Sequence, residues 1–517
     1  MRTIIQKITN ARPPEALVEA CGGAAKVVLL RSASFESTPA RYSFVAPFPF
    51  LQMRVFGSRC EFTPSGPEAP WEQFGQPWAI LAELMARYEI LDEADQPFPL
   101  GGCFGYWGYD LKNALEPRLP RRAVDDLELP DAVLNFCDTL LVYDHQLSAT
   151  WIISTGIRLD GSRDESWARE RAGVLQELVT ATGTRTDNTA PARRPATLPE
   201  VTSNLTRAQF LERVAQAKRY IHQGDIYQVN LTQRLAARHP WGGWEFFQRL
   251  ITFSPAPFAA YLDGGSFQLA SSSPELFLRL SGAHILTRPI KGTRPRAADP
   301  TRDAQLTYEL QTSPKEMAEL VMITDLLRND LGRVCEYGSV QVPELVRLER
   351  FPQVQHLVST VEGRLRPGVT HTAALAGCFP GGSITGAPKI RAMEIIDELE
   401  PVTRGPYTGC LGYLGFNRES QLSIVIRTAI CKDGVAHFPV GAGIVADSDP
   451  AAEYEETLAK ARGFFAAMEL KAPHHEPPLV VPALAGPASS CSPADRPKPG
   501  LQAGERIDGT RNTHHAP

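Results

Sequence analysis

The stretch FPGGSITGAPKIRAMEIIDELE (379–400) places a glycine-rich turn directly before a predicted helix. The helix is predicted to begin near Pro388, and the free N–H groups at such a helix start bind anions. A second glycine segment, PVGAGIVADSDP (439–450), leads into another helix in the same way. Neither segment matches a nucleotide-binding loop, since the G-x-x-x-x-G-K-[ST] and G-x-G-x-x-G patterns are absent. The two segments therefore predict sites for a carboxylate ligand rather than a phosphate.

Upstream of this stretch, TRPIKGTRPR (287–296) carries a candidate nucleophile. Lys291 lies at a predicted strand end between Arg288, Arg294 and Arg296. Neighbouring cations favour the neutral amine, the form in which a lysine attacks carbon. A basic surface loop has the same composition and stays open as the alternative.

The segment SSSPELFLRL (271–280) supplies a candidate general acid. Glu275 sits within an apolar, strand-like run. A carboxyl group in apolar surroundings has a raised pKa, which suits proton donation near neutral pH. The alternative is a glutamate that points to solvent at the start of a strand.

Two predicted helices, at 315–333 and 450–461, each carry two glutamates one turn apart. The pairs are Glu316 with Glu319, and Glu453 with Glu456. Carboxylates that meet from two helices could hold Mg²⁺, which binds a few carboxylates together with water and substrate oxygens. Surface decoration is the alternative, because Glu456 and Lys460 already form a good i, i+4 ion pair.

Thr206 and Gln209 form a T-x-x-Q capping box that opens a predicted helix in the second half of the chain. The segment IYQVNLTQRL (226–235) then alternates as a strand. Gln228, Asn230 and Thr232 share one face of that strand, which predicts either a polar site or a solvated outer face.

The chain has 517 residues, which is more than a single hydrophobic core can hold. Its formal net charge of −5 gives no sign of the basic patches that bind nucleic acid or anionic membranes. Residues 1–181 form the predicted amino-terminal region, an antiparallel sheet with few helices. Residues 182–204 are a predicted linker or exposed loop, and 205–470 the catalytic domain. The aromatic-free, proline-rich stretch 471–517 is a predicted disordered tail.

Nine scattered cysteines without C-x-x-C spacing argue against a disulfide framework or a zinc site. No apolar run approaches the roughly 18 residues of a membrane span, and no secretory signal is visible. These features predict a cytoplasmic protein with no membrane partner.

Residues 205–465 resemble the chorismate-utilising enzymes, which include anthranilate synthase component I, aminodeoxychorismate synthase component I, isochorismate synthase and salicylate synthase. The resemblance rests on nine segments that occur in order: IYQVNLTQR (226–234), SSSPELF (271–277), RPIKGTRPR (288–296), KEMAELVMITDLLRNDLGR (315–333), FPQVQHLVSTVEGRL (351–365), FPGGSITGAPKIRAMEIIDELEP (379–401), RGPYTGCLGY (404–413), IVIRTA (424–429) and VGAGIVADSDPAAEYEETLAKA (440–461). It implies an α+β fold of large antiparallel sheets, packed as a sandwich-like core with flanking helices.

Three positions discriminate within this family by resemblance. Lys291 matches the lysine of the aminodeoxychorismate synthases, where anthranilate synthases carry alanine. Gln228 stands where the water-using members carry a lysine base, which implies that ammonia is used here. Arg31 stands in LLRS where tryptophan-sensing members read LLES, which argues against tryptophan feedback and leaves a structural tryptophan pocket open.

The resemblance implies a role for each site residue. Lys291 would attack ring carbon 2 of chorismate while Glu275 protonates the departing 4-hydroxyl group. Ammonia would then give 4-amino-4-deoxychorismate, on the path to p-aminobenzoate and folate. The implied Mg²⁺ ligands are Glu319, Glu453 and Glu456, and the implied substrate-binding residues are Arg427, Gly441, Gly443, Thr428, Tyr407, His356, Gln228 and Lys460.

The resemblance also implies a partner. No G-x-C-x-G-Q-like glutaminase elbow surrounds any of the nine cysteines, so a separate glutamine amidotransferase subunit is expected to supply ammonia. Anthranilate synthase component I is the alternative activity. An alternative of another class is a non-catalytic paralogue that binds chorismate or tryptophan.

Overall fold

The computed structural model describes residues 2–8, 12–23, 26–32, 41–93, 96–181, 200–351 and 354–470, which belong to one compact unit. The predicted tail at 471–517 lies outside the described residues. The predicted linker does so too, apart from residues 200–204.

The described residues form 24 strands and 12 α-helices. The strands are β1 (Ile4–Ile8), β2 (Val28–Arg31), β3 (Tyr42–Ala46), β4 (Leu51–Phe56), β5 (Arg59–Pro64), β6 (Trp71–Phe74), β7 (Gly102–Trp107), β8 (Ala132–Cys137), β9 (Thr139–Asp144), β10 (Ala149–Ser154), β11 (Thr202–Ser203), β12 (Gln228–Arg238), β13 (Phe258–Asp263), β14 (Phe267–Ser273), β15 (Leu276–Ser281), β16 (His284–Arg288), β17 (Ile290–Pro295), β18 (Gln341–Arg350), β19 (Val354–Arg364), β20 (Gly386–Ala387), β21 (Cys410–Gly415), β22 (Glu419–Ile424), β23 (Thr428–Lys432) and β24 (Val435–Ile444). The helices are α1 (Pro14–Ala20), α2 (Pro77–Tyr88), α3 (Lys112–Leu115), α4 (Glu165–Thr180), α5 (Arg207–His222), α6 (Gly243–Phe253), α7 (Pro300–Gln311), α8 (Pro314–Gly332), α9 (His371–Cys378), α10 (Lys389–Leu399), α11 (Pro450–Lys460) and α12 (Arg462–Ala467).

The strands make two large antiparallel sheets. The first has the order β1-β10-β9-β3-β2-β13-β14-β23-β24-β12-β11, with β20 also on β12. The second has the order β17-β19-β16-β15-β22-β21-β7-β8-β4-β5-β6, with β18 also on β19. Buried residues of both sheets share one hydrophobic cluster, in which Phe44 packs on Tyr413 and Phe267 packs on Tyr106. The α+β sandwich that the sequence predicts is therefore confirmed.

Strands from the first 181 residues and from the second half of the chain pair directly with one another in both sheets. In the first sheet β2 pairs with β13, and in the second β7 pairs with β21. Each sheet therefore contains strands from both halves of the chain.

The chain passes from the first sheet to the second between Ser273 and Leu276. β14 ends at Ser273 in the first sheet, and β15 begins at Leu276 in the second. The strand-like run that contains Glu275 is therefore two strands, and Glu275 lies between them. Pro274 has no N–H to donate to a ladder, and the chain leaves the first sheet beside it. Glu275 thus lies in the crossing between two interior strands, since β14 is paired on both sides in the first sheet and β15 is paired on both sides in the second.

Several local predictions are confirmed. The capping box of Thr206 and Gln209 begins α5, and α10 follows Pro388 directly. β12 covers residues 228–235 of the predicted alternating segment, whereas Ile226 and Tyr227 precede the strand and Tyr227 is exposed. On one face of β12 the Gln228 amide lies against Gly443, and Thr232 lies where a methyl group on Gly441 would touch it. On the opposite face Val229 and Leu231 pack in the core.

Eight of the nine cysteines fall in the described residues, and all eight are buried free thiols. Within the same residues, no helix combines the length and apolar character needed to cross a membrane.

Two glycines face each other at the centre of the second sheet. Gly105 pairs with Gly412 across β7 and β21. A methyl group on Gly105 would lie 2.0 Å from the carbonyl oxygen of Val133 on β8. The glycines of the segment 100–111 therefore allow the backbones of neighbouring strands to approach closely.

We expect Gly105→Ala to lower the free energy of unfolding by more than about 3 kcal/mol, because β8 must move to admit the methyl group. Gly173→Ala is the matched control, since a methyl group at this helical position of α4 meets nothing within 4 Å. The control should raise stability by about 0.5–1 kcal/mol. Urea unfolding of both variants measures the two effects, and equal effects would contradict this account.

Candidate active site

Lys291 and Gln228 meet above Gly443, at the junction of β17, β12 and β24. A methyl group built on Gly443 would lie 2.4 Å from Gln228 Nε2 and 3.8 Å from Lys291 Nζ. Gln228 is 2% exposed, and its Oε1 atom is buried without a hydrogen-bond partner. A buried, unpaired acceptor is costly, and this one lies beside the candidate nucleophile.

Glu275 faces the same site from the crossing between the sheets. Its carboxyl group is buried and accepts a 2.5 Å hydrogen bond from the Ser383 hydroxyl. Burial raises its pKa to about 7, although Ser383, Lys291 and Lys460 each act in the opposite direction. Glu275 is therefore a carboxyl group that can carry or release a proton near neutral pH.

The three candidate metal ligands interact with one another and with nearby lysines. Burial raises the pKa of Glu319 and of Glu453, and each also feels the charge of Glu456. Burial acts in the same direction on Glu456, but the charges of Lys460, Lys315 and Lys291 lower its pKa overall. The three carboxylates therefore belong to one electrostatic group.

Lys315 stands between two of these carboxylates. Its Nζ lies 3.7 Å from Glu453 Oε1 and 4.0 Å from Glu319 Oε1. Glu453 also accepts a hydrogen bond of 2.6 Å from Ser448. Across the described residues, no three His, Cys, Asp or Glu side chains lie close enough together to bind a metal ion. Carboxylate oxygens suit a hard cation, and the Lys315 ammonium group lies between the carboxylates of Glu319 and Glu453.

Arg427 and Lys460 place positive charge beside the glycines of β24. Arg427 donates 2.8 Å to the Lys460 carbonyl group, and Lys460 Nζ donates 2.8 Å to the Gly441 carbonyl group. Lys460 also pairs with Glu456 at 2.7 Å. Burial lowers the pKa of both cations, partly offset by the charge of Glu456. Arg427 has a φ of +53°, a strained conformation for a non-glycine residue.

His356, Tyr407 and Thr428 lie around Arg427. His356 Nδ1 lies 2.8 Å from Thr293 Oγ1. Burial, together with the charge of Arg427, lowers the pKa of His356 to about 4, so the ring is neutral at pH 7. Tyr407 is buried, which raises its pKa, and it feels the charge of Arg427. Thr428 donates to the Ile426 carbonyl group at 2.9 Å and lies 2.8 Å from the Ser271 hydroxyl.

The three arginines around Lys291 pair with carboxylates of their own. The pairs are Arg288 with Glu349, Arg294 with Glu316 at 3.1 Å, and Arg296 with Asp303 at 2.9 Å. Glu316 is thereby engaged by Arg294, whereas Glu319, on the same helix, points to the acidic group. The i, i+3 spacing alone could not separate these two glutamates.

Arg31 lines a separate cleft between the two sheets, of about 310 Å³. Its guanidinium group pairs with Glu15, and Ser32, Phe44 and Gly412 line the same cleft. Arg31 is the residue that, by comparison with the family motif, argues against tryptophan feedback.

The family model of the chorismate binding enzymes matches residues 41–466. The chain belongs to this family. The anthranilate synthase component 1 of Acetivibrio thermocellus is 38% identical over 446 residues, covering 85% of this chain and 90% of that protein. The aminodeoxychorismate synthase component 1 of Klebsiella aerogenes is 44% identical over 387 residues, covering 74% and 81% of the two chains.

A solved structure of the same family has the same fold. The crystal structure of anthranilate synthase component I from Streptococcus pneumoniae TIGR4 matches with a TM-score of 0.71 at 29% identity, covering 84% of this chain and 94% of that one. The chain is therefore a chorismate-utilising synthase. Its relatives divide between the aminodeoxychorismate and anthranilate synthases, so the two activities must be separated by individual site residues.

We expect Glu275→Gln to stabilise the protein at alkaline pH. The pKa of about 7 in the folded state exceeds the ordinary value of 4.5, so stability is lost as the pH rises through this interval. Glutamine avoids that loss, and the gain should approach about 3 kcal/mol at pH 8 and shrink towards zero below pH 5.

Denaturant unfolding at both pH values measures this gain. Glu83→Gln on the exposed face of α2 is the control and should leave stability unchanged. A gain for Glu275→Gln that is equal at both pH values would contradict the raised pKa.

Proposed function

We propose that this chain is the synthase subunit of a 4-amino-4-deoxychorismate synthase. The observation that carries the proposal is Lys291, whose amine lies beside Gln228 over Gly443 and whose charge acts on Glu275, Glu319 and Glu456. A solvated surface lysine would not be coupled to Glu275 and Glu319, two carboxyl groups that are largely removed from water.

In the first step the neutral Lys291 amine forms a bond to carbon 2 of the chorismate ring. The ring double bond shifts and the bond between carbon 4 and its hydroxyl group breaks. Glu275, which retains its proton near neutral pH, gives that proton to the departing oxygen, so that water leaves. Arg427 and the backbone at Gly441 and Gly443 bind a substrate carboxylate.

Glu319, Glu453 and Glu456 would hold Mg²⁺. Their oxygen-only donor set suits this ion, and the Lys315 ammonium group between Glu319 and Glu453 is consistent with a cation position there. Mg²⁺ bound there would supply positive charge to a carboxylate of the ring.

In the second step ammonia forms a bond to carbon 4, the double bond shifts back, and the Lys291 amine leaves carbon 2. The extra proton on the new amino group returns to the Glu275 carboxylate, which restores the acid. Gln228 Oε1 is the unpaired acceptor at this position and can accept an N–H from the incoming ammonia. Glutamine has no basic nitrogen to deprotonate water, whereas neutral ammonia attacks without a base. These two features favour ammonia over water as the nucleophile.

A separate glutamine amidotransferase subunit would supply the ammonia. The Klebsiella relative is named as component 1 of its synthase, which supports a second component here.

Purified protein given chorismate, Mg²⁺ and ammonium salts tests the proposed reaction. We expect 4-amino-4-deoxychorismate as the product, and mass spectrometry without ammonia should show an adduct on Lys291. Lys291→Ala should lack the adduct and lose at least about a hundredfold in kcat. Lys315→Ala is a lysine control that should still form the adduct. Fluorescent anthranilate from the parent protein would instead establish anthranilate synthase component I, and failure to turn over chorismate at all would favour a binding paralogue.

Gln228→Leu tests the second step separately. It removes the buried acceptor but leaves Lys291 in place, so the KM for ammonia should rise about tenfold while adduct formation keeps its parental rate. The same KM with slower adduct formation would contradict the assignment of Gln228 to ammonia.

A further inference from the structure

A buried ion pair between Glu400 and Arg404 lies behind the site. Each residue is 5% exposed. Arg404 Nε donates to Glu400 Oε2 at 2.8 Å, and Nη2 donates to Oε1 at 2.6 Å. Glu400 Oε1 also accepts from the Thr232 N–H at 3.0 Å. Both charges are therefore compensated without water.

The remaining Arg404 donors reach three other segments. Nη1 donates to the Ile384 carbonyl group and to Thr408 Oγ1, each at 3.1 Å, and Nη2 donates to the Asn230 carbonyl group at 2.7 Å. With the two bonds to Glu400, all five guanidinium N–H groups are used. A planar fork can join these acceptors in one geometry, which the point charge of a lysine cannot do.

Each of these segments carries a residue of the proposed mechanism. Asn230 is two positions from Gln228 on β12. Thr408 follows Tyr407 and has a φ of +60°, so its backbone needs support. Ile384 follows Ser383, whose hydroxyl group donates to Glu275. The turn at 382–385 is fixed further by Asn230 Nδ2, which donates to the Ile384 carbonyl group at 3.2 Å.

We propose that Arg404 is a positioning residue, which fixes the turn at 382–385 so that Ser383 holds the Glu275 carboxyl group at the reacting hydroxyl of the substrate. This inference rests on the proposed role of Glu275 as the general acid. Arg404 itself touches no reacting atom, and it acts through the Ile384 carbonyl group and Ser383.

The groups that act on the Glu275 proton are few. They are Ser383 from the turn, Lys291 from β17 and Lys460 from α11, and all three favour the ionised form. Loss of the Ser383 bond leaves the two lysines, so Glu275 then keeps its proton to higher pH. The alkaline limb of the kcat–pH profile, where the acid ionises, should move upward.

Arg404→Lys tests the proposal, because it keeps a positive charge beside Glu400. We expect kcat to fall at least tenfold, since Glu275 is no longer aligned, while the KM for chorismate stays within about threefold. The alkaline limb should move up by about one pH unit. Ser383→Ala should move the limb by the same amount, and the double variant should move it no further.

Two controls separate this effect from general destabilisation. Arg163→Lys weakens the ion pair with Glu93 in the amino-terminal part of the chain and should keep the parental profile. If Arg404→Lys does not fold, Glu400→Gln combined with Arg404→Gln removes both buried charges and is judged by the same profile.

The outcomes distinguish this proposal from the proposed function. A parental kcat–pH profile for the Arg404 variant, or full additivity of its effect with that of Ser383→Ala, would overturn the positioning role. If Glu275→Gln is inactive in the same experiments, the general acid assignment still stands. If Glu275→Gln turns over chorismate like the parent, the general acid assignment is wrong and the positioning role falls with it.

Discussion

The antiparallel pairing of β12 with β24 is the contact on which the rest of the site depends. It joins segments some two hundred residues apart and places Asn230 opposite Gly443 and Thr232 opposite Gly441. Because Gly443 has no side chain, Gln228 and Lys291 can lie directly over the strand. The same pairing leaves the Gly441 carbonyl group free to accept from Lys460 at the end of α11.

Around this contact the protein concentrates opposite charges. Lys291, Lys460 and Lys315 face four carboxyl groups, and burial rather than any single ion pair is the largest influence on each of those carboxyl groups. This arrangement lowers the stability of the protein, which is why Glu275→Gln is expected to raise it. A proton donor and an amine nucleophile nevertheless require such surroundings. The Glu400–Arg404 pair shows the opposite use of buried charge, since every donor of the guanidinium group is satisfied.

Sequence patterns predicted the local elements well where the signal is local. The capping box at Thr206, the start of α10 after Pro388 and the alternation along β12 all depend on neighbours within a few residues. The change of sheets beside Glu275 was not predicted, because an apolar run does not show where a chain leaves one sheet for another. From the sequence, Arg404 stood out only as the first residue of a family motif. Its partners Glu400 and Thr408 are each four residues away, but the Ile384 and Asn230 carbonyl groups lie on segments that are distant in the sequence, so no local pattern indicates the role proposed for it.

The sequence by itself determined the family and the two-sheet class, because these follow from nine motifs in order, and it supplied the candidate site residues. Only the tertiary structure decided which of those side chains meet. Glu316 and Glu319 are equivalent by spacing, yet one pairs with Arg294 and the other joins the acidic group. Burial, which sets the pKa of Glu275 and leaves Gln228 Oε1 without a partner, arises from contacts among distant strands, and no local pattern encodes it.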